Sequence, residues 1–199
     1  MTAITLIFPH QLFANHPSIV RGQDVYLIEE CLFFKQYRFH QHKLLLHRAS
    51  IKKYARLLDQ LNVKVNYIDS QNELSDVRKL IHHLAQQNIT EIQFADVADN
   101  WLKTRIKSCC NTHNIKITET VSPNFLNTLD GVKPFFDKKK TYFQTAFYIE
   151  QRKQRKILLD AGGLPLGGQW TFDADNRMKY PKNDLIRRIL QLAGDRRES

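Results

Sequence analysis

The stretch that most constrains the fold is residues 2–13, Thr-Ala-Ile-Thr-Leu-Ile-Phe-Pro-His-Gln-Leu-Phe. Ile4, Leu6 and Phe8 alternate with Thr5 and Ile7. Both faces of an extended run are therefore nearly apolar, as in a strand covered by helices on each side. Pro9 removes a ladder donor and ends the run. Comparable strand-like runs recur at residues 24–30, 63–68, 91–95 and 114–118. Amphipathic periodicity predicts helices between them: over about 42–61, stopped at Asn62; through Val77, Leu80, Ile81 and Leu84; and through Trp101, Leu102 and Ile106 after the Asp99-Asn100 turn. Strands alternating with helices at this spacing make βαβ crossovers. The expected architecture is a Rossmann-like or flavodoxin-like sheet of five parallel strands with helices on both faces, followed by a basic helix and an extended C-terminal linker. Ligands of such sheets bind outside the carboxyl ends of the strands, which places Pro9, His10, Gln11 and Leu12 at the binding edge.

The second strand ends in Glu29 and Glu30. Consecutive strand residues face opposite sides, so at most one of the two looks into a crevice, and each reads as a solvated loop acid. Residues 31–43 then combine Phe33, Phe34, Tyr37 and Phe39 with basic and histidine side chains. Such a loop either roofs a planar ligand or stacks on bases, or it covers the edge of the core. His40, His42 and His47 invite a metal reading, yet no cysteine or carboxylate is spaced to complete a site, so they read as surface histidines and no metal is expected.

With 199 residues, 42% of them hydrophobic, the chain can bury one sizeable core. The expected division is an α/β domain over 1–135, a basic helix packed on it over 136–160, and a Gly/Pro linker with tail over 161–199. Three cysteines, two of them adjacent, suit a reducing compartment. No membrane-length apolar run or signal peptide is visible, so a cytoplasmic protein is expected. Thirty Lys and Arg against 20 Asp and Glu give a formal charge of +10, which favours encounter with polyanions. The cations concentrate in a segment read as a helix over 138–156: Lys138, Lys139, Lys140, Arg152, Lys153, Arg155 and Lys156, interleaved with Tyr142, Phe143, Phe147 and Tyr148. This run is either a solvated helix face or a contact surface for nucleic acid. Residues 162–182, rich in Gly and Pro, read as an extended linker with fixed turns, and no phosphate-loop pattern occurs.

Four strings resemble the bacterial photolyase-related proteins, the iron-sulfur branch of the photolyase/cryptochrome superfamily. They are residues 6–12 (Leu-Ile-Phe-Pro-His-Gln-Leu), residues 36–43 with 47–50 (His-Arg-Ala-Ser), the basic segment 142–156, and residues 165–177 beginning Pro-Leu-Gly-Gly-Gln-Trp-Thr-Phe. The resemblance covers almost the whole chain, and it is to the amino-terminal α/β domain of proteins that continue into a helical domain. It implies that this domain holds an antenna chromophore, of lumazine or another type, with Pro9, His10, Gln11, Glu29, Glu30 and Phe34 as candidate contacts. It departs from lumazine-binding relatives at His10, where they carry an acid, and at Phe34, where they carry Glu. FAD and the iron-sulfur cluster belong to the helical domain and are not expected here. The implied role is that of the amino-terminal domain in light-dependent DNA repair or photoreception, without catalytic residues of its own. The alternative is a stand-alone nucleotide- or DNA-binding module. A small-molecule enzyme is disfavoured, since no nucleophile, phosphate loop or metal set is visible. Leu164, Leu166, Trp170 and Phe172 are expected to be exposed where a further domain docks.

Overall fold

The computed structural model describes residues 2–172. Five strands, β1 (Ala3–Ile7), β2 (Asp24–Ile28), β3 (Val65–Ile68), β4 (Glu91–Ala95) and β5 (Lys116–Thr120), form one all-parallel sheet in the order β3-β2-β1-β4-β5. This is the Rossmann-like order, and it settles the choice between the two expected topologies. The chain leaves β1 for β2 and β3 on one side and returns to β4 and β5 on the other. The switch point therefore lies between the carboxyl ends of β1 and β4.

Alternation along β1 distributes two cores. Ile4, Leu6 and Phe8 join the cluster built with Val77, Leu80, Ile81, Leu84, Leu102 and Ile106. These residues come from α3 (Val77–Gln86) and α4 (Asn100–Thr112) on one face. Ile7 joins Val25, Leu27, Ile51, Tyr54 and Leu58 on the other, where α2 (Gln41–Gln60) packs. A single turn, α1 (Cys31–Phe34), follows β2.

Capping residues fix where the helices start and stop. The Asp76 carboxylate accepts from Arg78 N–H at the head of α3, and Asp99 accepts from Leu102 N–H at the head of α4. Asn72 caps a separate 3₁₀ turn ahead of α3, whose own cap is Asp76. α2, α3 and α4 all end on a left-handed asparagine: Asn62, Asn88 and Asn114 have φ of 57°, 59° and 54°. The residue after each donates back to Leu58, Leu84 and Cys110 respectively, which closes the last turn.

The chain divides into two compact units, with the boundary between Thr128 and Leu129. In the second unit, α5 (Leu129–Phe136) runs through a stretch that holds Asp130, Gly131 and Pro134. Gly131 and Pro134 argue against a helix, but Phe135 and Phe136 stack on Phe147 at ring-centroid distances of 5.2 and 4.9 Å, and that packing overrides propensity. The basic helix is shorter than expected. It is α6 (Gln144–Arg155), and Lys138, Lys139 and Lys140 lie in the connection before it.

The Gly/Pro segment that follows is folded into a small hairpin. Leu159 bridges Pro165, and the Asp160 carboxylate accepts from the N–H groups of Gly162 and Leu164 at 2.9 and 2.8 Å. Leu164, Leu166 and Phe172 are exposed, as expected. Trp170 is not: it is half-buried, with Arg152 and Lys153 over its ring at 5.3 and 5.0 Å. Residues 173–177 of the Gly/Pro string and the basic tail lie outside the described residues.

Candidate functional site

At the switch point the loop after β1 is tied to the end of β4. The Gln11 amide nitrogen donates to the carbonyls of Ala95 and Asp96 at 2.9 and 3.1 Å, and His10 Nε2 lies 2.9 Å from the carbonyl of Val97. A carbonyl accepts, so Nε2 carries the proton. Burial lowers the His10 pKa from its ordinary value, against the pull of the Val97 carbonyl and Asp99, so the ring is neutral near pH 7. Nδ1 is then a bare acceptor. It is buried and has no partner among the described residues, and the same holds for Gln11 Oε1. Each such acceptor costs about 1–3 kcal/mol until a donor reaches it. His10 also meets the Phe33 ring edge-on at 5.0 Å, and Phe34 and His47 stand 6.2 Å apart beside it in sequence.

Glu29 and Glu30 are both fully buried, which corrects their reading as solvated acids. They do face opposite sides of the sheet, as the strand period requires. Glu29 turns towards α2. Its Oε1 accepts from Arg48 Nε at 2.8 Å and from the Tyr67 hydroxyl, and its Oε2 accepts from Arg48 at 2.5 Å and from Ser70 N–H at 2.9 Å. An ionised carboxylate has about four acceptor positions, so none is left for a ligand. Burial alone would raise its pKa, but the hydrogen bonds from Arg48, Tyr67 and Ser70 outweigh it and hold the group at about 2.

Glu30 turns towards α3 and α4. Its Oε2 accepts from Val77 N–H at 2.9 Å, while Oε1 has the Cys31 thiol at 3.5 Å and Arg105 at 3.8 Å. Burial, helped by nearby Asp76, pushes its pKa up to about 7 despite the Val77 N–H. Donor atoms of Glu30, Cys31 and Asp76 come within 4.8 Å of one another. They do not form an open metal site, because Asp76 is held by Arg78 at 2.6 Å and the Arg105 guanidinium stands 3.8 Å from both Glu30 and Cys31.

Of the six residues expected to touch a chromophore, Pro9, Gln11, Glu29, Glu30 and Phe34 are therefore buried, and His10 alone is half-exposed. His10 and Gln11 supply unpartnered acceptors, while the other four are buried and Glu29 and Glu30 are engaged in bracing the end of β2. Sequence reasoning missed Arg48, Tyr67 and Ser70 as partners of Glu29. Arg48 was legible in principle, because it stands three residues before Ile51 on the core side of α2, where a cation needs an anion.

The second candidate site also changes. Arg152 is 5% exposed and donates to the carbonyls of Ile157, Leu158 and Trp170 at 3.3, 2.5 and 3.0 Å. It cannot meet a phosphate in this conformation. Lys138, Lys139, Lys140, Lys153, Arg155 and Lys156 are exposed.

The sequence model of the deoxyribodipyrimidine photo-lyase-related proteins matches residues 5–198. The chain belongs to this family. It is 33% identical over 199 residues to an uncharacterized protein, R852, of Acanthamoeba polyphaga mimivirus, an alignment that covers 94% of this chain and 99% of the viral one. It is 23% identical over 198 residues to a (6-4) photolyase of Agrobacterium fabrum, covering 94% of this chain and 38% of that photolyase. This member of the photolyase-related family thus spans well under half the length of one curated relative and nearly all of another. Among the described residues no helix is long and apolar enough to cross a membrane.

Proposed function

We propose that the chain is the α/β, chromophore-carrying part of a photolyase/cryptochrome-related protein, serving light-dependent DNA repair or photoreception together with a helical FAD-binding part. The family match over residues 5–198 carries this reading. The switch point supports it, because its two buried acceptors, one of them on the His10 ring that meets Phe33, suit the N–H edge of a planar heteroaromatic ring. His10 and Gln11 would hold such a ring by its polar edge and Phe33 by its face or rim. The ring would supply light absorption and pass the excitation on. Glu29 ties the end of β2 to the end of β3, and Glu30 ties it to the head of α3.

The test is a fluorescence titration of the purified chain with 6,7-dimethyl-8-ribityllumazine. Saturable quenching is expected, weakened about tenfold in His10→Ala, since one hydrogen bond to a buried partner contributes about 1.4 kcal/mol. No saturation, or an unchanged affinity in His10→Ala and Phe33→Ala alike, would contradict it.

A specific observation favours a second reading, contact with nucleic acid through the second unit. Six exposed cations flank Tyr142 and Phe143, themselves 78% and 65% exposed. Beside them an apolar groove of about 430 Å³ is lined by Leu129, Val132, Phe136 and Tyr142. With ~3 to 5 phosphate contacts, DNA affinity should fall with a log-log salt slope of roughly −3 to −5. The triple variant Lys153→Ala, Arg155→Ala, Lys156→Ala should flatten that slope by up to ~3 in an anisotropy titration. Equal slopes would leave the run as a solvated face.

A further inference from the structure

On the face of the first unit that carries α3 and α4, His82 and His113 bring their ring nitrogens together. His82 Nδ1 lies 3.4 Å from His113 Nε2, with ring centroids 5.1 Å apart and planes at 53°. Two imidazoles bound to one tetrahedral ion through nitrogens at about 2.0–2.1 Å have those nitrogens about 3.3–3.4 Å apart and their centroids about 5.2 Å apart. A head-on N–H···N pair at the same nitrogen separation would put the centroids about 5.7 Å apart. The pair also satisfies a bent N–H···N hydrogen bond, and both distances fit the shared-ion arrangement.

The surroundings agree. The far nitrogen of His82, Nε2, lies 3.1 Å from the Gln86 side-chain amide nitrogen, and a half-turn of that amide exchanges its nitrogen for its oxygen. Oriented with its oxygen towards the ring, Gln86 accepts that N–H and fixes the tautomer whose Nδ1 lone pair is free, as outer partners of metal-ligating histidines do. His82 is exposed on α3, and His113 caps the end of α4. Their approach rests on the packing of these two helices through Leu80, Leu84, Ile106 and Cys110. A groove of about 440 Å³ lined by Glu73, Arg78, Lys79, His82 and Gln86 gives water and ions access. Its cations are already compensated, Lys79 by Glu73 at 3.1 Å and Arg78 by Asp76 at 2.6 Å.

We propose that His82 and His113 are two ligands of a site for a late first-row divalent ion, Zn²⁺ or Cu²⁺, which pins α3 to α4. Imidazole nitrogen favours these ions over Mg²⁺ or Ca²⁺, and water completes the coordination. The site lies towards the ends of α3 and α4 that lead back into β4 and β5, away from the carboxyl edge, so it is independent of the chromophore reading.

The experiment adds Zn²⁺ to the folded chain and records its calorimetric affinity and its thermal midpoint. Substoichiometric Cu²⁺ is then used to broaden amide resonances. Saturable zinc binding that raises the midpoint is expected, with broadening centred on residues 82–86 and 109–114. His82→Ala and His113→Ala should each lower the affinity at least tenfold and abolish the midpoint shift, while His40→Ala with His42→Ala leaves both unchanged. Circular dichroism confirms that the variants fold. No saturable binding, zinc affinity unchanged in His82→Ala and His113→Ala, or broadening centred on His40 and His42 would overturn the proposal.

Discussion

Two adjacent carboxylates, both shut off from solvent, are shifted in opposite directions, because Glu30 lies deeper in the protein and Glu29 meets more donors. Glu29 has four and is held at about 2, below its ordinary 4.5. Its contribution to stability is fully present above about pH 4.5 and lost as pH falls towards 2. Replacing Arg48 by Met leaves that carboxylate buried and short of two donors. The expected loss, read by urea unfolding at pH 7, is about 3 kcal/mol, the low end for breaking a buried pair because Arg48 is partly solvated. A loss below about 1 kcal/mol, the worth of a surface pair, would show that the network is not needed. Glu30 has one good donor and is raised to about 7. Stability from this group is therefore full below about pH 4.5 and declines as pH rises through 7. Glu30→Gln, which mimics the protonated form and keeps an acceptor for Val77 N–H, should remove that decline. An identical pH-stability profile for the variant and the parent between pH 4.5 and 8 would refute the assignment.

At the scale of elements, capping chemistry explains why so much of the first unit was legible. Apolar alternation marks all five strands, and Asp99 and Asn62 mark helix boundaries in the sequence itself. The switch-point strand order was not legible, because it depends on which parallel neighbour each strand accepts, and the apolar pattern of a strand does not name that neighbour. α5 was missed because packing of Phe135 and Phe136 on Phe147 decides it against Gly131 and Pro134. Arg152 was misread for a related reason. In a run of four cations nothing local says which one finds three carbonyls. Arg152→Met should therefore unfasten the hairpin from α6. With Trp101→Phe as background, the Trp170 emission is expected to shift to the red in that variant and to stay in place in Lys156→Ala. An unmoved emission in Arg152→Met would mean that the hairpin is held by its own turns.

For the whole molecule, the sheet's carboxyl edge divides the labour that the sequence alone assigned to six residues in common. Glu29 and Glu30 brace the end of β2, Pro9 and Phe34 are buried, and His10 with Gln11 presents acceptors at the junction of β1 and β4. That division could not be seen from the sequence, because burial and donor count at Glu29 and Glu30 depend on α2, α3 and β3 arriving from 19 to 47 residues away. The most direct measurement of the central claim is amide chemical-shift mapping of the isotopically labelled chain titrated with 6,7-dimethyl-8-ribityllumazine. The largest shifts are expected at His10, Gln11, Phe33 and residues 96–98, with Glu29 and its partners little moved. Shifts confined to α5 and α6, or none at saturating lumazine, would contradict it.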